Sequence, residues 1–167
     1  ADTQFERIRA RQALDVLSEF GISATVLSEV SGHMSDARKA LNWQTFTAAR
    51  DIAQIDAGAV VLCERRLRIL PEEIQRRLLV HAINWISGEA YPARRAAIEN
   101  LMNALRKRQA GTADGVHVRR VAGQVWVFRE LNAVRDLETD TDTLWDERWR
   151  LSPPDPDWQI EDHSVRA

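Results

Sequence analysis

The sequence predicts a mainly α fold of about five helices, with one small β-hairpin and an acidic, proline-containing C-terminal tail. Three observations carry this expectation. Apolar residues recur every three or four positions between Phe5 and Ile52 and again between Ile74 and Leu105, the spacing of one helix face. Valine-rich alternation is concentrated in 116–128. Beyond Arg135 the periodicity gives way to acidic residues and prolines. The expected organisation is one helical domain over 1–135, with its hairpin at 116–128, and an acidic linker or the start of a further domain over 136–167.

Taken in order, Phe5, Ile8, Ala13, Val16, Leu17 and Phe20 define a first helix, and Gly21 supplies a left-handed stop. Ser23 is placed to cap a second, longer helix with Val26, Val30, Met34, Ala37 and Leu41 on one face and Phe46, Ala49 and Ile52 extending it. The run 57–62 reads as an apolar connection or strand. Pro71, followed by Glu72 and Glu73, opens a helix whose buried stripe is Ile74, Leu78, Ala82 and Trp85, closed by Ser87 and Gly88. Pro92 opens its antiparallel neighbour, with Ile98, Leu101, Met102 and Leu105 at i, i+3, i+4 and i+7. Residues 111–115 read as a loop, and the hairpin after them turns at Ala122 and Gly123. In the tail, Trp145, Trp149 and Trp158 surround Pro153, Pro154 and Pro156.

With 167 residues, 44% of them hydrophobic and 29% charged, the chain can build one good core. It has no apolar run of bilayer length and a charged N-terminal segment, so a cytoplasmic location is expected. The single Cys63 excludes an internal disulfide and a cysteine-based zinc site, and its apolar neighbours point to a buried, inert thiol. His33, His81, His117 and His163 lack metal-ligand spacing. Asp36, Asp51, Glu72, Glu73, Glu89 and Glu99 read as solvated helix faces rather than paired catalytic carboxylates. With no glycine-rich phosphate loop and no nucleophile turn either, a self-sufficient catalytic centre is not expected.

Charge is distributed unevenly. Residues 58–135 carry 14 basic and 7 acidic side chains, whereas 136–167 carry 3 and 10. On the helix after Pro92, Arg94, Arg95, Arg106, Lys107 and Arg108 point away from the apolar stripe, and Arg76 and Arg77 do so on the helix before it. Arg119, Arg120 and His117 add cationic surface on the hairpin. Such a face can neutralise phosphates and release their counterions; composition alone supports a merely solvated basic face equally well. Arg7 and Arg11, at i and i+4, stand on one side of the first helix and can grip one anionic group together or simply face solvent. Two rival functions share these features: a helical DNA-binding regulator and a protein-interaction module using the six tryptophans and the acidic tail.

The opening residues Asp2-Thr-Gln-Phe5-Glu-Arg7-Ile-Arg-Ala-Arg11 resemble the D-x-x-[YF]-x-R-N-x-[IL]-R segment of tRNA(Ile)-lysidine synthases, with Ile8 in place of the asparagine and Ala10 in place of the aliphatic residue. Leu70-Pro71-Glu-Glu-Ile-Gln-Arg76-Arg77 through Gly88, then Pro92 to Arg108, is similar to the same family. So is Gly111-Thr112 ahead of a hairpin ending Phe128-Arg129-Glu130. The resemblance runs from Asp2 to Arg135 and implies the region following the ATP-binding catalytic domain, because the family's S-G-G-x-D-S loop is absent from this sequence. It implies an ATP-dependent, magnesium-requiring parent ligase that adenylates the wobble cytidine of tRNA(Ile) with a CAU anticodon and then joins free lysine to it. It further implies that this region binds the tRNA, that it needs no cofactor of its own, that it is inactive alone, and that Arg7 and Arg11 support catalysis from beside the missing domain.

Overall fold

The computed structural model describes residues 3–140 and 142–150. Helix α1 (Thr3–Glu19) is closed by Gly21 at φ +77°, where the Ile22 amide donates to the Leu17 carbonyl at 3.0 Å. This is the left-handed stop expected from the sequence. Ser23 caps α2 (Ala24–Ile52), its hydroxyl accepting from the Val26 amide at 3.3 Å.

The apolar stripe of α2 divides in two. Its second half packs on the core, with Ala48 and Ile52 buried and Leu41 and Ala49 partly so. Its first half is uncovered: Val30 is 49% and Met34 63% exposed, and Phe5 and Val16 of α1 and Phe20 just after it are equally open. Helical periodicity is therefore present along both helices, but burial follows it only where a neighbour exists. Phe46 also faces solvent.

After α2 the fold departs from the mainly helical expectation. It is a mixed α/β structure built on a five-stranded antiparallel sheet in the order β1-β2-β5-β4-β3, comprising β1 (Ala53–Asp56), β2 (Ala59–Cys63), β3 (Gly111–Ala113), β4 (Val116–Val121) and β5 (Gln124–Arg129). The β4–β5 hairpin and its turn at Ala122 and Gly123 are as expected. Strands β1 and β3 were not expected, and 57–62 is split between a turn and β2.

Each of the three hairpins closes through two residues at positive φ: Ala57 and Gly58, Asp114 and Gly115, Ala122 and Gly123. That is the requirement of the type I′ turn, whose twist matches the strands it joins. Residues 111–115, expected as a loop, are thus a short edge strand plus an Asp-Gly hairpin turn.

Three helices follow the first hairpin: a short α3 (Glu64–Arg68), absent from the expectation, then α4 (Glu72–Ser87) and α5 (Arg95–Arg106). Helix α4 ends at Gly88, φ +72°. It buries Ile74, Leu78, Ala82, Ile83 and Ile86 against the sheet; Trp85, expected in that stripe, is 50% exposed because Ile86 takes the inward position in the last turn. Helix α5 begins at Arg95 rather than at Pro92 and buries Ile98, Leu101 and Met102. Val116, Val118, Val125 and Val127 complete the core from the sheet, each such side chain contributing roughly 1.5–3 kcal/mol of burial. Cys63, at the end of β2, is partly exposed rather than buried.

A one-turn helix α6 (Leu131–Val134) leads into the acidic segment. Residues 142–150 return to the body of the fold. Asp146, its side chain 5% exposed, pairs with Arg129 at 2.9 Å. The Trp149 ring lies over Gly58 and leaves no room there for a Cβ. Trp158, Pro153, Pro154, Pro156 and His163 lie outside the described residues. Among the described residues no helix is long and apolar enough to cross a membrane.

Candidate nucleic-acid interface

The acidic first turn of α4, favoured there by the helix dipole, organises much of the basic surface. Glu73 accepts two hydrogen bonds from Arg76 and one from Arg77, each 2.7 Å. The Arg76 hydrogen bond, opposed by partial burial and reinforced by Arg77, lowers the Glu73 carboxyl to about 2; Arg76 in turn is held above its usual range by the same contact. Arg77 also donates to Asn42 Oδ1 at 2.5 Å, tying α4 to α2.

Between α4 and α5 runs an open groove carrying Arg76, Arg95 and Arg106 together with Glu72, Glu73 and Glu99. Arg95 pairs with Glu99 at 2.7 Å and Arg106 with Glu72 at 2.5 Å. Four of the arginines singled out from the sequence, Arg76, Arg77, Arg95 and Arg106, are thus already matched by carboxylates. This groove is charge-balanced.

A second concavity, about 210 Å³, opens where α3, the end of α5 and the β4–β5 hairpin meet. Its floor is apolar, formed by Leu67, Leu79, Met102, Leu105 and Val125. Arg68, Arg106, Arg108 and Arg120 stand at its walls against one carboxylate, Glu64. Arg120 bonds Glu64 and donates to the Leu105 carbonyl at 3.1 Å, so it is fixed in place. Arg68 approaches Glu64 less closely, at 3.9 Å.

The remaining candidates are dispersed. Arg94 caps α5 and Lys107 ends it, both exposed. Arg119 is exposed on β4 opposite Trp126, and His117 packs against Phe128 with ring centres 5.1 Å apart. Arg7 and Arg11 are exposed on α1, one helical turn apart, and line neither the groove nor the concavity. The reading from sequence missed Arg65, Arg66 and Arg68 because it had no helix to carry them; the dense Glu64-Arg-Arg-Leu-Arg68 run was the available signal. Among the described residues no group of three or more His, Cys, Asp or Glu side chains is arranged to hold a metal ion.

No family model matches the chain, and no solved structure does. Three curated proteins do, each named tRNA(Ile)-lysidine synthase. The one from Ruegeria pomeroyi is 42% identical over 166 residues, which is 99% of this chain and 39% of that protein. The one from Wolbachia pipientis wMel is 25% identical over 156 residues, 89% of this chain and 36% of the relative. That of Methylobacterium nodulans is 30% identical over 105 residues, 61% of this chain and 31% of the relative. The chain therefore spans about two fifths of the length of the relatives it matches most fully. Nearly the whole chain is thus similar to one segment of proteins named tRNA(Ile)-lysidine synthase.

Proposed function

We propose that this chain is the tRNA-recognition segment of an ATP-dependent tRNA(Ile)-lysidine synthase, lying after the catalytic domain. The observation that carries this reading is the 42% identity over 99% of the chain to a protein of that name. The whole protein would adenylate the wobble cytidine of a tRNA(Ile) with a CAU anticodon and join lysine to it, with ATP and magnesium held by the part outside this chain. The segment itself supplies cationic surface, contributes no nucleotide site, and is inactive alone. Arg7 and Arg11 stand near the reacting groups in that arrangement.

The basic surplus of 58–135 and the arginines gathered around the end of α5 support a polyanionic partner. The uncovered stripe of α1 and the first half of α2 accords with the same reading, since the larger part of the relatives' length lies outside the matched segment. A DNA-reading helix pair is less well supported. The paired helices α4 and α5 bury apolar faces in the core, and several of their arginines are bound to glutamates.

The test is lysidine formation by the full-length protein with and without this segment, together with the segment alone. The proposal expects turnover only with the segment joined to the catalytic part, and a raised KM for tRNA when its arginines are neutralised. Full turnover without the segment, or any by the segment alone, would overturn it.

A further inference from the structure

We propose that the concavity at the end of α5 seats one backbone phosphate of the bound RNA, with Arg108 and Arg68 as its anion contacts. This rests on the tRNA-binding reading and assigns a specific site within it.

The four arginines at this pocket have unequal commitments. Arg120 is locked by Glu64 and the Leu105 carbonyl, and Arg106 is taken by Glu72. Arg68 keeps a long contact with the already engaged Glu64, its side chain 70% exposed. Among the described residues Arg108 pairs with no carboxylate. The pocket therefore holds more guanidinium charge than its one carboxylate offsets. Arginine forks match phosphate oxygens in pairs.

The backbone of Arg108 is the independent observation. It sits just past α5 at φ +60°, with the Gln109 amide donating to the Ala104 carbonyl at 2.8 Å and the Arg108 amide to the Leu105 carbonyl at 3.1 Å. That helix ending is one glycine adopts without steric cost. Here a long cationic side chain occupies it, at the one point where the turn from α5 into β3 brings position 108 to the pocket rim. A long cationic side chain at a positive-φ position beside a charge-unbalanced cavity fits an anion contact for Arg108.

The test uses the 167-residue chain with tRNA and, separately, with adenosine 5′-monophosphate as a free phosphate source. Arg108→Gly and Arg68→Ala are compared with Lys39→Ala, which removes one charge far along α2. Arg108→Gly relaxes the turn, so its melting temperature should hold or rise while tRNA affinity falls; the double variant should lose about tenfold and flatten the salt slope by about one. Lys39→Ala should bind as the parent does, and the monophosphate should not bind at micromolar concentration. If the parent chain shows no salt-dependent tRNA binding, the recognition reading fails with this one. If the parent binds tRNA and the Arg108 and Arg68 variants bind equally well, the pocket assignment alone is overturned. Micromolar binding of the monophosphate, lost in the double variant, would make this a free-nucleotide site and overturn the polynucleotide assignment.

Discussion

The Arg148 guanidinium lies 4.9 Å from the centre of the Trp85 ring and 5.9 Å from that of Trp149. It also donates to the Ile86 carbonyl at 3.2 Å and the Gly58 carbonyl at 2.8 Å. One side chain thus joins the returning acidic segment to the end of α4 and to the β1–β2 turn. Trp85 is half-exposed at a position where the helical period placed it inside, and this contact gives its outer face a partner.

Arg148→Ala should therefore loosen residues 142–150, which stay tied to the fold through Asp146 and Arg129. The expected loss is about 1–3 kcal/mol, from the cation–π contacts with Trp85 and Trp149 and two charge-assisted hydrogen bonds. Urea unfolding measures the loss, and tryptophan emission should shift to longer wavelength before the main transition. Unchanged stability and emission would show that the clasp does not hold in solution.

The Glu73 carboxyl, lowered from 4.5 to about 2 by Arg76 and then Arg77, predicts a pH dependence of definite sign. A carboxylate whose folded pKa is depressed stabilises the fold above the unfolded value and loses that contribution as pH falls through the folded one. The stability difference between the parent chain and Glu73→Gln should be constant above about pH 5 and shrink between pH 4.5 and 2. Because the side chain is 42% exposed, the difference should be no more than about 1 kcal/mol. A difference that grows on acidification would contradict the assignment.

The sequence announced its helices well and its sheet poorly, for physical reasons. Gly21, Ser23, Pro71 and Gly88 sit at helix ends and act through local backbone chemistry, so they were readable without the fold. Strand β1, Ala-Gln-Ile-Asp, continues directly from α2 and buries almost nothing, so only its pairing with β2 makes it a strand. Strand β2, interior to the sheet, is buried along nearly its whole length and shows no alternation. Asp114-Gly115 was a usable hairpin signal, obscured by the brevity of β3.

The basic residues were legible as a composition but not as a site. The pairs of Arg76 and Arg77 with Glu73 and of Arg95 with Glu99 lie within one helix at i,i+3 and i,i+4, whereas Arg106–Glu72 depends on which helix faces meet, and Arg68 shares a pocket with Arg108 and Arg120 only through α3 and the sheet.

Arg7 and Arg11 carry a prediction for the full-length enzyme. Both are exposed on α1, so replacing either by alanine should change the stability of this chain by no more than about 0.5 kcal/mol. If they contact the tRNA or the charged intermediate, the same substitutions should reduce lysidine formation by about tenfold or more, the loss of one charge-assisted contact. Normal turnover in both variants would return them to a solvated helix face.

The central claim, that this segment recognises tRNA through its arginines, is tested most directly by the salt dependence of its affinity for tRNA. Equilibrium filter binding of the 167-residue chain, from about 50 to 200 mM monovalent salt, should give an affinity that falls linearly on a log–log plot. A slope of about −2 or steeper is predicted, corresponding to about two or more neutralised phosphates. A flat line, or no binding at the lowest salt, would contradict it.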